Sequence, residues 1–261
     1  MKKSEGMIGV FDSGLGGITV LAEIAHQLPQ EDIIYFGDSV HAPYGNKSRQ
    51  EVMEHSVKIC DYFAENHCKA VVVACNTATS LTIRELRSKY KFPIIGMEPA
   101  VKPVSQHHKN ILVMATPNTL KELKFLDLVK NLDIDDKMIK LAALELVDIV
   151  ENRWEFREEA GNQILQYFTR IDLDKIGAIV LGCTHFSFFR EIIEEMVNPD
   201  ICVVDGNLGT ARQLKFVLEK EGLIQKSDRP GTIIFQNSDA GKISLSEKLY
   251  IHQLSKLEGK K

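Results

Sequence analysis

VVVACNTAT (71–79) and AIVLGCTHF (178–186) are built alike. Each is an apolar run that ends in a small residue, then a cysteine, with a threonine close behind. Near-continuous runs of Val, Ile, Leu and Ala suit strands of a parallel sheet covered on both faces. In open α/β sheets, ligands sit beyond the carboxyl ends of the strands. Cys75 and Cys183 therefore stand where such a sheet presents its chemistry. One cysteine at a strand end is ordinary small-hydrophobe packing. Two at equivalent ends, 108 residues apart, call for a common explanation.

Working outward, further strands are expected at MIGVF (7–11), IIYFG (33–37), PIIGM (93–97), ILVMA (111–115), LAALEL (141–146), ICVVD (201–205) and TIIFQ (232–236). Helical segments alternate with them. Residues 48–67 open with Ser48 and carry Glu51 three positions on, a capping-box signature. Val52, Val57, Cys60, Phe63 and Ala64 recur there at helical spacing and predict a buried stripe. Strand centres near 9, 35, 72 and 95 are echoed near 113, 143, 180 and 203. Strand–helix alternation implies right-handed crossovers. The expected fold class is α/β, with two similar domains of mostly parallel sheet related by a pseudo-two-fold and a cleft between them. The first domain is expected to be discontinuous, 1–98 plus 209–261, and the second to span 99–208, with hinge crossings near 98 and 208.

A chain of 261 residues has room for two ordinary domains. Its net charge of −4, with no basic stripe, gives no reason to expect a nucleic-acid partner. No run approaches the ~18–20 apolar residues of a membrane span. The apolar run near the N-terminus is broken by Asp12, unlike a secretory signal. A cytoplasmic protein without membrane attachment is expected, its tail EGKK (258–261) a solvated end. Five scattered cysteines do not make a disulfide framework. They are free thiols, metal ligands or catalysts.

The residues after each strand form the candidate site. They are Asp12, Ser13 and Gly14 with Gly16-Gly17, then Asp38-Ser39 and Pro43-Tyr44-Gly45, then Cys75-Asn76-Thr77. The second half contributes Thr116 and Thr119, Glu151, and Cys183-Thr184-His185. Helices are expected to start at Ala78 and near Ser187, with their dipoles lowering both thiol pKa values. DSGLGG (12–17) reads equally as a phosphate cradle and as a tight strand-to-helix turn, and it lacks the Lys-Ser/Thr of a P-loop. Asp12 is a helix cap or a group that steers a proton or an ammonium. Pro43-Tyr44-Gly45 is a turn. His185 is a helix-start hydrogen bonder or a proton donor to the thiol. Glu151, at the end of an apolar run, reads as a solvated carboxylate. Zinc on Cys75, Cys183, His185 and Asp12 lacks closely spaced ligand pairs, so no metal is expected. A Cys–His nucleophile needs only one thiol. Two facing thiols without a cofactor motif suit removal of an α-proton from one face of a carbon and delivery to the other.

DSGLGG, PYG (43–45), CNTAT (75–79) and GCTH (182–185), in this order and spacing, resemble the glutamate racemase family, and GMEPA (96–100) and DGNLGTAR (205–212) fit its domain junctions. The resemblance covers nearly the whole chain. It implies cofactor-independent interconversion of L- and D-glutamate, supplying D-glutamate for peptidoglycan, in a protein that is commonly a homodimer. It implies that Cys75 takes the proton from D-glutamate and Cys183 from L-glutamate, assisted by Asp12 and His185 respectively, with Glu151 near the second thiol. Asp12, Ser13, Tyr44, Gly45, Asn76, Thr77, Thr116, Thr119, Thr184 and His185 match its substrate-binding positions. An aspartate racemase and a non-catalytic glutamate-binding regulator on the same scaffold are the alternatives, and His185 favours glutamate over aspartate.

Overall fold

A computed structural model describes residues 5–156 and 158–259. The first half runs β1 (Ile8–Asp12), α1 (Ile18–Gln27), β2 (Ile33–Gly37), α2 (Arg49–Glu65), β3 (Ala70–Val73), α3 (Asn76–Lys89) and β4 (Ile94–Gly96). The second runs β5 (Asn110–Ala115), α4 (Pro117–Lys121), α5 (Leu123–Asn131), β6 (Met138–Ala142), α6 (Glu145–Asn152), α7 (Glu158–Phe168), β7 (Ile176–Leu181), α8 (Arg190–Met196) and β8 (Cys202–Asp205). The chain ends with α9 (Asn207–Lys220), β9 (Ile233–Asn237) and α10 (Ile243–Glu258).

Among the described residues, the strands form two sheets, ordered β4-β3-β1-β2-β9 and β6-β5-β7-β8. All pairings are parallel. Set β9 aside and both sheets have one order: second strand, first, third, fourth. In each, the third strand is interior and leads to a cysteine. β9 pairs with β2 and extends the first sheet. The fold is α/β, as the alternation predicts.

The strands are where Val/Ile runs predict them, to within a residue or two, except one. LAALEL (141–146) is a strand only at its start. The ladder to β5 ends at Ala115↔Ala142, and α6 begins at Glu145. The apolar run crosses from strand to helix without a Gly or Pro to mark the change, and Leu146, Val147 and Val150 form a buried helical face.

α2 carries its capping box: the Glu51 N–H donates to Ser48 Oγ, and Glu51 Oε2 accepts from the Ser48 N–H at 2.8 Å. Val52, Cys60 and Phe63 are buried, but Val57 is only partly so and Ala64 is exposed. At ~100° per residue, Ala64 lies past the stripe, and Ser56 and Ile59 complete it.

Among the described residues, three apolar clusters hold the layers. One packs α2 and α3 on the first sheet, another packs α5 on the second. The third is shared. It joins Leu15, Ile18 and Leu21 of the first half to Leu146, Val150, Phe186 and Phe188 of the second. Each fully buried side chain of this kind stabilises by about 1.5–3 kcal/mol. Among the described residues, no helix is long and apolar enough to cross a membrane.

Candidate active site

β1 ends in Asp12, which is fully buried. Its Oδ1 accepts from the Gly14 N–H (3.1 Å) and the Ser13 hydroxyl (3.5 Å), and its Oδ2 from Thr184 Oγ1 (3.1 Å). It does not cap α1, whose N-cap, Gly17, makes no side-chain cap bond. Burial raises the Asp12 pKa, against the His185 charge and the two donated hydrogen bonds from Thr184 and Gly14. Cys75 is the N-cap of α3. Its sulfur accepts from the Ala78 N–H at 3.4 Å, and its S–H donates to Ser13 Oγ at 3.7 Å. The thiol is nevertheless pushed up to about 12, first by burial, then by the Asp12 charge, with Cys183 adding to it. Here the lowered value expected from the helix terminus is overturned, because burial outweighs one amide.

On the facing wall, β7 leads through Gly182 to Cys183. Residues Thr184–Phe189 then form 3-10 turns, and α8 starts only at Arg190. No backbone N–H caps Cys183, so the expected helix terminus near Ser187 is displaced. Its partner is His185 instead, with Nδ1 3.8 Å from the sulfur. His185 Nε2 lies 2.8 Å from Glu151 Oε1. Glu151 is 4% exposed, not solvated. Its Oε1 also accepts from the Leu15 N–H (2.5 Å), and its Oε2 from Lys242 Nζ (3.0 Å). Burial works against charge on Glu151, but the hydrogen bond and charge of His185, with Leu15 and Lys242, hold its pKa below the usual range. Burial likewise opposes the imidazolium of His185, yet Cys183 and Glu151 raise its pKa well above the ordinary value.

The glycines of DSGLGG let these walls meet. A Cβ on Gly14 would fall on the Glu151 carboxylate, and one on Gly16 on the His185 ring and Thr184 hydroxyl. The segment is thus a close-approach turn toward the other half. A second bridge is hydroxylic: Thr77 Oγ1 lies 2.9 Å from Thr116 Oγ1 and 3.3 Å from Thr119 Oγ1. Gly45 packs on Thr116, and Asn118 Nδ2 donates to the carbonyls of Tyr44 (3.1 Å) and Lys47 (2.8 Å). Tyr44 is buried, its hydroxyl donating to Asp38 Oδ2 at 2.6 Å. Asn76, at the start of α3, is 2% exposed, and both its amide atoms lack a hydrogen-bond partner among the described residues. A buried amide left with unspent donors and acceptor is costly unless a ligand or water completes it.

The candidate residues therefore gather around two neighbouring nodes, one at the thiols and one at the threonines. Both thiols are closed off, Cys75 at 5% and Cys183 at 6% exposure. A cavity of about 270 Å³ reaches Glu151 and Lys242 and is lined also by Ser39, Pro43 and Val147, but by neither cysteine. Cys60 and Cys68 are buried in the first half's core and Cys202 is exposed. Sequence reasoning missed Lys242, Asn118 and the Leu15 amide. Lys242 lies in the segment between β9 and α10, and no local pattern ties it to Glu151. Asp38 was legible by position alone, since it follows β2.

Residues 8–214 match the sequence family described as Asp/Glu/Hydantoin racemase. The chain belongs to this family. Within the Asp/Glu/Hydantoin racemases, it is 43% identical to a protein of Bifidobacterium animalis subsp. lactis named glutamate racemase, over 92% of this chain and 95% of that one. Among solved structures, it resembles glutamate racemase isoform RacE1 from Bacillus anthracis (TM-score 0.84, 29% identity, 97% and 95% of the two chains). It also resembles Escherichia coli glutamate racemase in complex with L-glutamate and the activator UDP-MurNAc-ala (TM-score 0.81, 28% identity, 94% and 95%).

Proposed function

We propose that the protein interconverts L- and D-glutamate by a two-thiol proton transfer that uses no cofactor. The observation that carries this is topological. Cys75 and Cys183 follow the third strands of two sheets with one strand order, and both join a single hydrogen-bonded constellation, in which Cys75–Ser13–Asp12–Thr184 meets Cys183–His185–Glu151 through Thr184 Oγ1, 3.5 Å from His185 Nδ1. Glutamate as substrate is supported by the relatives' names and by the L-glutamate in the Escherichia coli structure.

In this reading Cys183 takes the α-proton of L-glutamate, with the His185 imidazole between it and Glu151 to accept and return charge. Cys75, a neutral thiol by virtue of its burial and of Asp12, supplies the proton on the opposite face. The roles reverse for D-glutamate. Ser13, Asn76, Thr184 and the Thr77–Thr116–Thr119 group hold the carboxylates, with Tyr44 and Gly45 closing the wall. The first domain comprises 1–98 with 209–261 and the second 99–208, and they part to admit substrate. The product serves peptidoglycan synthesis in the cytoplasm, and the working form is a homodimer.

Incubation with L- or D-glutamate in D₂O tests the chemistry. The wild type is expected to racemise both enantiomers and to place deuterium at the α-carbon without added cofactor. Cys75→Ser and Cys183→Ser are each expected to lose at least ~10²-fold in racemisation, the scale of a general acid–base group. A wild type that exchanges no α-proton on glutamate overturns the reading.

A further inference from the structure

Away from the thiols, the segment between β2 and α2 gathers three metal-ligating side chains. Asp38 follows β2, His41 closes the turn Ser39–His41, and His55 lies on α2. One ligand atom from each lies within 4.8 Å of the others. Asp38 Oδ1 and His41 Nδ1 are 2.8 Å apart, and the His41 and His55 rings stack with centroids 3.9 Å apart. Asp38 is 3% exposed. Both imidazoles are half-buried and face a cavity of about 220 Å³, shared with Phe36, Lys58, Tyr62 and Ser238.

We propose that Asp38, His41 and His55 bind a zinc-class divalent ion, with water in the fourth position, and that its occupancy is felt in the cleft through Tyr44. Two imidazole nitrogens and a carboxylate oxygen are a donor set that zinc accepts at about 2.0–2.2 Å, leaving one place open. Tetrahedral ligands at that distance lie ~3.3 Å apart, so the widest gap closes by roughly 1.5 Å. Rotation of the two half-buried rings supplies that movement. Asp38 is already held from behind, because Tyr44 donates to its Oδ2 at 2.6 Å. An outer hydrogen bond of this kind orients ligating carboxylates in metal sites. Lys58 lines the same cavity, and its ammonium opposes a cation. The site is therefore weaker than a closed structural zinc site and responds to free metal.

Coupling to the cleft follows from two contacts. A metal on Asp38 Oδ1 draws negative charge from the carboxylate and weakens Oδ2 as the acceptor of the Tyr44 hydroxyl. It also turns His55, whose ring stacks on Tyr44 with centroids 5.9 Å apart. Tyr44 and Gly45 share one turn, and Gly45 packs on Thr116.

The test uses chelator-treated full-length protein titrated with Zn²⁺ by calorimetry and with Co²⁺ by absorption. One equivalent is expected to bind, with the weak visible bands of nitrogen and oxygen ligation. His55→Ala is expected to weaken binding by more than ~10-fold, the loss that even an outer-shell partner costs. His55→Phe, which keeps the ring stack and removes the donor, is expected to weaken it equally. In the racemisation assay, saturating Zn²⁺ is expected to raise the KM for glutamate in wild type but not in His55→Phe, whose metal-free activity is unchanged. This last arm rests on the racemase reading, whereas calorimetry and absorption do not. Intense near-ultraviolet thiolate bands, or full Zn²⁺ binding retained in His55→Phe, overturn the proposed site. Binding that is lost in His55→Phe but leaves KM untouched in an active wild type overturns the coupling.

Discussion

Cys75 lies under two opposed influences, and their sizes decide the outcome. A helix N-terminus stabilises negative charge by about 0.3–1 kcal/mol. The rise of its thiol to about 12 corresponds to roughly 4 kcal/mol against the thiolate. Burial wins, so Cys75 rests as an acid. His185 lies under the reverse balance, raised by Cys183 and by Glu151. If Glu151 sustains the imidazolium, Glu151→Gln lowers the His185 pKa, and the alkaline edge of the activity profile moves to lower pH. Turnover is expected to fall by about 10²-fold. Lys242→Met is expected to cost ~10-fold, or about 1.4 kcal/mol, and Lys242→Arg to restore most of it. The glutamate enantiomers have equal free energy, so kcat/KM must fall by the same factor in both directions. The side of the damage is read instead from α-deuterium isotope effects, which are expected to grow most where Cys183 takes the proton. Unchanged pH edges in Glu151→Gln would remove Glu151 from this role. The thiol pair was legible because each sulfur ends a Val/Ile run. The states of Cys75 and Glu151 were not, because burial depends on what the other half of the chain lays over them.

At the scale of elements, local signals were faithful wherever a sharp boundary accompanied them. Ser48 and Glu51 marked the start of α2, and the strands β1, β3 and β7 were bounded by small or polar residues. LAALEL had no such boundary, so β6 and α6 merged into one apolar run. The 3-10 start after Cys183 was likewise silent in sequence, since Thr184–Phe189 carries no breaker. One long-range pair was invisible for the same reason. Lys69, just before β3, and Glu31, just before β2, are buried with Nζ 2.6 Å from Oε2. They lie at the amino ends of the strands, away from the site. Lys69→Met strands a buried carboxylate and is expected to cost about 3–5 kcal/mol, lowering Tm by roughly 10 °C. Glu31→Gln with Lys69→Met, which removes both charges, is expected to recover much of that loss in the same calorimetric scans.

For the whole molecule, the shared apolar cluster and the two polar bridges hold the halves together with the thiols inside. Cys75 and Cys183 are buried and are expected to become accessible only when the halves separate, whereas Cys202 is exposed. Iodoacetamide is expected to modify Cys202 first and to leave Cys60 and Cys68 unreacted. Cys75 and Cys183 are expected to react slowly and to be protected by glutamate, as read by peptide mapping. Labelling of Cys75 as fast as Cys202 would contradict a closed resting state. The return of β9 to the first sheet also orders events on the ribosome. Ile33 pairs with Ile233, so at about 5–20 residues per second β2 waits roughly 10–40 s for its outer neighbour. Through that interval its edge is bare, a template for pairing with other nascent chains. The second sheet, whose strands lie between Asn110 and Asp205, has all its partners sooner. During synthesis, the middle of this chain can finish before its beginning.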